Sequence, residues 1–313
     1  MLSVSVVFIT FNQKKYVQGA MHSIFSQSHH PLEIVISDDG STDGTYELLE
    51  ELVSSYSGPH DVLLLPKTSN AGLIGNLNRA LARATGELVI AAAGDDISHP
   101  DRAVKLAQVF MRHNKPMLIH TKARVIDANG TLTGREEPPE RLRFAMSAEV
   151  ASTELSIYLG ATAAWSRGLL DAFDPISERD AFEDLVMGFR ASLYDSVVYH
   201  DEALVDYRVG NGMSQQQPAS MDAYVKRRKW MIKVNLAVYR QRLIDVRKTR
   251  RAPASFKPRL ESLMATEEGR LAFYERMAAG VATASRLRFI LGWLDECRKH
   301  LKNRLLFGLT SDS

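Results

Sequence analysis

The chain holds a single cysteine, Cys297, among 313 residues. An intrachain disulfide is excluded, and a reducing compartment such as cytoplasm is expected. Long apolar runs are missing too. None approaches the roughly 18 residues that a membrane-spanning helix requires. The start shows a strand pattern without a basic leader, so no signal peptide is expected. Thr10-Phe11-Asn12, at the end of that first strand pattern, is not a Gly-rich loop, and Gly72 and Gly75 do not make one. Phosphate binding of the P-loop kind is therefore not expected. His29, His30, His99, His120 and His200 have no metal-ligand spacing. Internal repeats and low-complexity segments are absent, so a repeat architecture is not expected.

What is present is an ordinary globular composition, 45% hydrophobic and 24% charged. The length allows one large domain, or one domain with an appendage. The net charge of +2 conceals an asymmetry. From residue 221 onward, basic residues outnumber acidic ones more than two to one, while the rest of the chain is acidic. A basic segment of that kind suits an anionic surface.

Apolar runs at Val4–Ile9, Glu33–Ile36, Val62–Leu65, Leu88–Ala92 and Met117–His120 read as strands. Helical stripes lie between them: Val17, Met21, Ile24 and Phe25, then Leu48, Leu49, Leu52 and Val53, then Arg102 to His113. Such alternation implies a parallel sheet covered by helices. Asp127-Ala128-Asn129-Gly130 has the composition of a hairpin turn, and Gly134 to Arg143 reads as a loop. From about residue 220 the pattern is helical, and Pro253 and Pro258 divide it.

Two strand ends carry clustered carboxylates. The run Glu33–Ser37 ends in Asp38-Asp39-Gly40-Ser41-Thr42-Asp43-Gly44-Thr45, and Leu88–Ala93 ends in Gly94-Asp95-Asp96. Ligands of open α/β sheets bind beyond the carboxyl ends of the strands. Carboxylates crowded there repel one another unless a ligand or cation uses them. Hard cations such as Mg²⁺ or Mn²⁺ prefer such oxygens, and a phosphate-bearing ligand commonly completes their coordination. Asp43 has a simpler role open to it, capping the helix that follows. For Asp38 and Asp39 the simpler role is a turn without a ligand, and for Glu183-Asp184 an exposed helix start.

Taken together, these motifs resemble the family 2 glycosyltransferases, inverting enzymes with the GT-A fold. Val4 to Asn12, Ser23-Ile24-Phe25-Ser26-Gln27, the Asp38–Thr45 turn, Asn70-Ala71-Gly72 with Asn76 and Asn78, and Ala84 to Val89 carry the resemblance, over roughly residues 3–115. It implies an α/β fold: a GT-A type, Rossmann-like, mostly parallel sheet with flanking helices, plus a C-terminal helical extension. The implied division is a catalytic domain over 1–215 and a basic helical extension over 216–313. Within the former, 1–121 would bind the donor and 122–215 the acceptor. Donor-binding residues would be Thr10, Phe11, Asn12, Asp38, Asp39, Gly40, Ser41, Asn78 and Asp95. Asp39 would accept the imide N–H of uracil or thymine, which selects a UDP- or dTDP-sugar. Counted back from Pro100, Asp95 takes the place of the family's second metal-motif aspartate, and Ala93 stands where the first would be. Asp95, supported by Asp96, would therefore hold a divalent metal, Mn²⁺ or Mg²⁺. Phe182-Glu183-Asp184-Leu185 matches the acceptor-side Glu-Asp pair, so Asp184 would be the general base. In Tyr207 to Ser214, the place of a family histidine is taken by Gly210 or Asn211.

The resemblance also implies a glycan or lipid-linked acceptor and a role in surface polysaccharide assembly. Leu287, Ile290, Leu291, Leu294, Cys297, Leu301 and Leu305 repeat at helical spacing among basic residues. Such a helix suits either an anionic membrane face or packing on the catalytic domain or a second subunit. The expected location is cytoplasmic, at the inner face of the plasma membrane if the helix binds lipid. No nucleic-acid partner is expected. Two other readings stand beside this one: a nucleotidyltransferase on a related α/β fold, and a non-catalytic nucleotide-sugar-binding module.

Overall fold

A computed structural model describes residues 2–210 and 220–278. It forms two units. The first holds residues 1–217 and 233–265, and the second 218–232 and 266–313. The helical stretch 233–265 thus groups with residues 1–217, not with a separate extension beginning at 216. The amphipathic stripe Leu287–Leu305 and Cys297 lie outside the described residues.

The first unit is built on one sheet. Strands β1 (Val4–Thr10), β2 (Glu33–Asp38), β3 (Asp61–Leu64) and β4 (Leu88–Ala93) are parallel, in the order β3-β2-β1-β4. The order then continues through β8 (Ala164–Ser166), β6 (Leu118–Ile126), β9 (Val197–Arg208) and the two-residue β5 (Ile97–Ser98). Here β8 runs antiparallel to both β4 and β6, β6 and β9 are parallel, and β5 is antiparallel to β9. Parallel pairing therefore dominates the N-terminal half and gives way to a mixed arrangement after β4.

The central strands are buried because helices cover both faces. Residues of β1 and β2 alternate between them, and Val6, Val7, Phe8, Ile34, Val35 and Ile36 are all essentially inaccessible. Helices α1 (Lys14–Phe25), α2 (Thr45–Ser54), α3 (Gly72–Leu81) and α4 (Arg102–Arg112) turn their apolar stripes inward. Val17, Met21, Ile24, Leu49, Leu106 and Phe110 fill one core with Phe8, Ile34 and Ile90. A fully buried side chain of this size contributes about 1.5–3 kcal/mol.

The Asp127–Gly130 turn does close a hairpin: the Asp127 N–H donates to the Thr131 carbonyl (2.9 Å). Its second strand, β7 (Leu132–Glu137), pairs with β6. Four residues expected in a loop, Gly134–Glu137, are therefore strand. The long partner β6 imposes this pairing, and their own turn-rich composition could not announce it. Short helices α5 (Ala148–Ala151) and α6 (Arg167–Ala172) precede α7 (Glu183–Ser192). Then come α8 (Met221–Lys248) and α9 (Phe256–Ala278), which run through both units. Within the first unit, Tyr239, Leu243 and Leu260 form a second small core. Within the second, Glu267 pairs with Arg270 one helical turn away. Among the described residues no helix is long and apolar enough to cross a membrane.

Candidate active site

The ends of β1, β2 and β4 meet at one rim. Asp38 closes β2 opposite Thr10 of β1. Asp38 is fully buried, and its oxygens accept from the Ser41 N–H (2.8 Å) and the Ser41 hydroxyl. This makes it a residue that shapes the turn; its carboxylate has no surface for a ribose. Ser41 passes the constraint on, accepting the Asn12 N–H at 2.8 Å, while Asn12 Oδ1 accepts the Thr42 N–H at 2.9 Å. Asn12 pays for this with a left-handed backbone, φ 51°. Phe11 beside it stays 46% exposed, an aromatic face open to a flat ligand.

Asp39 is nearly buried and fixed from the far side. Its two oxygens accept the Ala71 and Gly72 N–H groups at 2.7 and 3.0 Å. A carboxylate has about four lone-pair sites, so an imide N–H can still be accepted. Gly40 lets this happen: φ is 74°, and a Cβ would fall 2.5 Å from the Thr68 carbonyl oxygen. Asp43 accepts the Lys14 and Thr45 N–H groups, both at 3.0 Å, and so ties the starts of α1 and α2 together.

Two asparagines of α3 differ from what surface residues would show. Asn76 is buried and donates to the Ser37 carbonyl at 3.1 Å. Asn78 donates to the Ile176 carbonyl at 2.7 Å, which places it in a link between α3 and the chain after α6. Expected at the donor, Asn78 instead lines a cavity of about 130 Å³ with Arg167, Phe173 and Met187. Arg79 holds the Asp38 carbonyl and the Ser37 hydroxyl, at 2.7 and 2.8 Å.

The second acidic site follows β4. The Gly94 N–H donates to the Ile9 carbonyl (3.1 Å), and a Cβ there would be 2.5 Å from both Thr10 Oγ1 and Gln13 Oε1. Only glycine lets the turn lie this close to β1. Asp95 remains partly exposed and Asp96 is buried. Burial raises the Asp95 carboxyl above its ordinary range, opposed by the nearby Arg208 charge and a Gln13 hydrogen bond. Burial raises Asp96 well above it, and the Asp95 charge adds to the effect. Asp96 Oδ1 accepts the Arg208 N–H at 2.8 Å, so it anchors the end of β9. Buried Arg102 supplies a countercharge; its guanidinium donates to the Ala91 and Ala161 carbonyls, both at 2.9 Å. Arg208 donates to the Asp95 and Asp127 carbonyls, both at 2.8 Å, and stacks over Tyr16.

The third acidic site opens α7. Glu183 and Asp184 occupy its first turn and remain partly reached by solvent. Surrounding protein desolvates both and raises both carboxyls. Asp184 is pushed up to about 8, first by burial and then by the Glu183 charge. Tyr207 on β9 connects the sites: burial first, then the charges of Asp96, Asp95, Glu137 and Asp184, push its hydroxyl up to about 12. The fold thus brings Asp95, Asp96 and Asp184, distant in sequence, within electrostatic reach of one side chain. Gln13 and Arg102 carried no signal of their own in the sequence, and Tyr207 and Arg208 were marked only as the start of the segment that lacks the family histidine. The place at Gly210 is left-handed glycine (φ 104°), and Asn211 lies outside the described residues.

A strand-end aspartate turn, an acidic pair after β4 and a carboxylate pair opening α7 thus lie in one unit. The family model described as Glycosyl transferase family 2 matches residues 5–173, over half of the chain, and the protein belongs to that family. It is 31% identical to EpsE of Bacillus subtilis, whose name describes a glycosyltransferase, over 43% of this chain and 48% of that protein. It is 33% identical to TuaG of the same organism, named for teichuronic acid biosynthesis, over 36% of this chain and 43% of that protein. The chain thus spans about half the length or less of the curated relatives it matches. Among solved structures, S. aureus TarS with UDP-GlcNAc superposes with TM-score 0.59 at 18% identity, covering 91% of this chain and 78% of that one. Mannosyltransferase PcManGT from Pyrobaculum calidifontis, with GDP-Man and Mn²⁺, superposes with TM-score 0.57 at 18% identity, covering 94% and 80%. These similarities establish the GT-A fold.

Proposed function

We propose that the protein transfers a sugar, with inversion, from a UDP- or dTDP-sugar to a hydroxyl of a glycan or lipid-linked acceptor in polysaccharide assembly. The observation that carries this reading is the set of carboxylates left partly exposed at strand and helix ends, Asp95 after β4 and Glu183 and Asp184 in the first turn of α7. A leaving diphosphate and an attacking hydroxyl need help from separate groups. Phe11 would stack on the base and Asp39 would accept its imide N–H, with Thr10, Asn12, Gly40 and Ser41 holding the turn that presents them. Asp184 would take the acceptor's proton, a contribution of about 10²–10⁴ in rate. The names of EpsE and TuaG and the ligands of TarS and PcManGT support a nucleotide-sugar donor.

A divalent metal fits the donor set. Asp95 and Asp96 offer hard carboxylate oxygens of the kind that such cations prefer, Asp95 partly exposed and Asp96 buried behind it. Among the described residues no three His, Cys, Asp or Glu side chains converge. Asp95 would hold the ion while Asp96 fixes the turn, and the diphosphate would complete the shell. When bound, the metal would neutralise charge on the leaving diphosphate. The basic C-terminal stretch is proposed to reach anionic lipid, with the enzyme at the inner face of the plasma membrane. Flotation with anionic vesicles should be salt-sensitive, and salt-independent or absent binding would remove this part.

The central test is a donor screen that detects slow hydrolysis of UDP-, dTDP- and GDP-sugars with Mn²⁺. Turnover of a UDP- or dTDP-sugar, giving a transfer product of inverted anomeric configuration by NMR, is expected. Retained configuration, or GDP competing as well as UDP, would overturn the assigned roles of Asp184 and Asp39 respectively. Asp184→Asn should bind donor normally and lose about 10²-fold or more in kcat.

A further inference from the structure

The C-terminal helix α8 enters the first unit carrying an arginine that the proposed mechanism has not used. Arg242 is fully buried. Its Nη2 donates to the Leu185 carbonyl at 3.0 Å and to the Glu154 carbonyl at 2.8 Å, and Nη1 donates to the Ser152 carbonyl at 3.2 Å. Leu185 directly follows Asp184. The guanidinium lies over Phe189 of α7 and Tyr239 of its own helix, 5.5 and 5.9 Å from the ring centroids. One planar cation therefore binds the first turn of α7 and the segment after α5 at once. Burying it is costly, and three backbone carbonyls with two aromatic faces are an arrangement for fixing both charge and position.

The neighbours of Arg242 on α8 reinforce the hold. Asp245 takes Arg190 of α7 in a two-pronged ion pair, both contacts 2.9 Å, with each side chain 2% exposed. Gln241 donates to Asp245 at 3.0 Å and accepts the Ser177 and Glu178 N–H groups at 2.8 and 3.1 Å. Arg242 adds a positive charge at the base end of α7.

We infer that Arg242 is a positioning residue for catalysis: from the C-terminal helix it holds the Leu185 carbonyl, so fixing the first turn of α7 and setting a guanidinium charge against the turn that carries Asp184. The inference rests on the reading of Asp184 as the base. Groups facing Asp184 come from several elements. Glu183 on α7 raises its carboxyl, and Arg242 on α8 lowers it. Tyr158, in the segment between α5 and β8, and Tyr207 on β9 also lie within its field. Burial lowers the Arg242 guanidinium to about 10, opposed by Tyr239, Asp184, Asp245 and Glu154. It is the cation that offsets Glu183.

The test is a pH titration of the full chain with ¹³C-labelled aspartate carboxyls, in which Asp184→Asn assigns the Asp184 resonance. Wild type is expected to titrate near 8. Arg242→Gln should move that midpoint up by about one unit, since a positive charge that lowers it is removed. Arg242→Lys keeps the charge and should leave the midpoint near the wild-type value. An unmoved midpoint in Arg242→Gln overturns the proposal. If that chain does not fold, a full-unit rise in Arg242→Lys overturns it instead. The readout needs no substrate. Failure of Asp184 as base would show as full donor hydrolysis by Asp184→Asn, a different result from a midpoint that ignores Arg242.

Discussion

Gly40 shows how little room the turn after β2 leaves. Its left-handed backbone and the Thr68 carbonyl oxygen 2.5 Å from a would-be Cβ both exclude a side chain. Gly40→Ala should cost about 1–3 kcal/mol and weaken UDP binding, because the same turn holds Asp39 against Ala71 and Gly72. Urea melts with calorimetry would show it; a stable variant with unchanged UDP affinity would contradict the geometry. Asp184 makes an opposite kind of residue-level statement. A carboxyl raised in the fold keeps a proton that the unfolded chain loses near 4. Its contribution to stability is present below that value and is lost as pH rises through about 8. Between about pH 5 and about pH 9 wild type should therefore lose stability relative to Asp184→Asn, while its turnover rises. If Asp184 is the base, its function and the stability of the fold pull its ionisation in opposite directions. Parallel stability curves for the two proteins would mean that the carboxyl is not perturbed.

At the scale of elements, α7 is held from the C-terminal side. The Arg190–Asp245 pair is buried at both ends. Removing one partner leaves an uncompensated charge, so Asp245→Ala should cost about 3–5 kcal/mol. Asp245→Ala combined with Arg190→Met should recover part of that loss. A double-mutant cycle by chemical denaturation measures the coupling, and additive losses would show that the pair is not the link. This contact also explains the unit boundaries. Pro253 and the change to helical composition after 220 were legible, but not that residues 233–265 pack with the catalytic unit. The partners of Gln241 and Asp245 lie 55 to 64 residues earlier in the chain, and no local pattern reports such a contact. Gly134–Glu137 became strand for the same reason, since pairing with β6 outweighs weak local preference.

At the scale of the molecule, donor and metal should act as one ligand. UDP with Mn²⁺ should raise the melting temperature beyond UDP alone, since a ligand at about 100 times its Kd adds about 2.7 kcal/mol. Asp95→Ala should abolish the metal-dependent part and keep the rest. An unchanged metal increment in Asp95→Ala would move the ion elsewhere.

The sequence by itself determined the parallel half of the sheet, the acidic turns at two strand ends and the family. Those features are local: apolar runs of strand length, then turns of aspartate and glycine within a few residues. Tertiary structure decided what each carboxylate does. Asp38 and Asp96 look like ligands in the sequence; in the fold both Asp38 oxygens also hold Ser41, and one Asp96 oxygen holds the Arg208 backbone. Asn78 looks like a donor contact and holds the Ile176 carbonyl. Tyr207 and Arg242 reach the site from strands and helices far along the chain, and only folding sets their distances. A side chain's type is written locally, but its ionisation and its free hydrogen-bonding valence depend on what the fold packs against it.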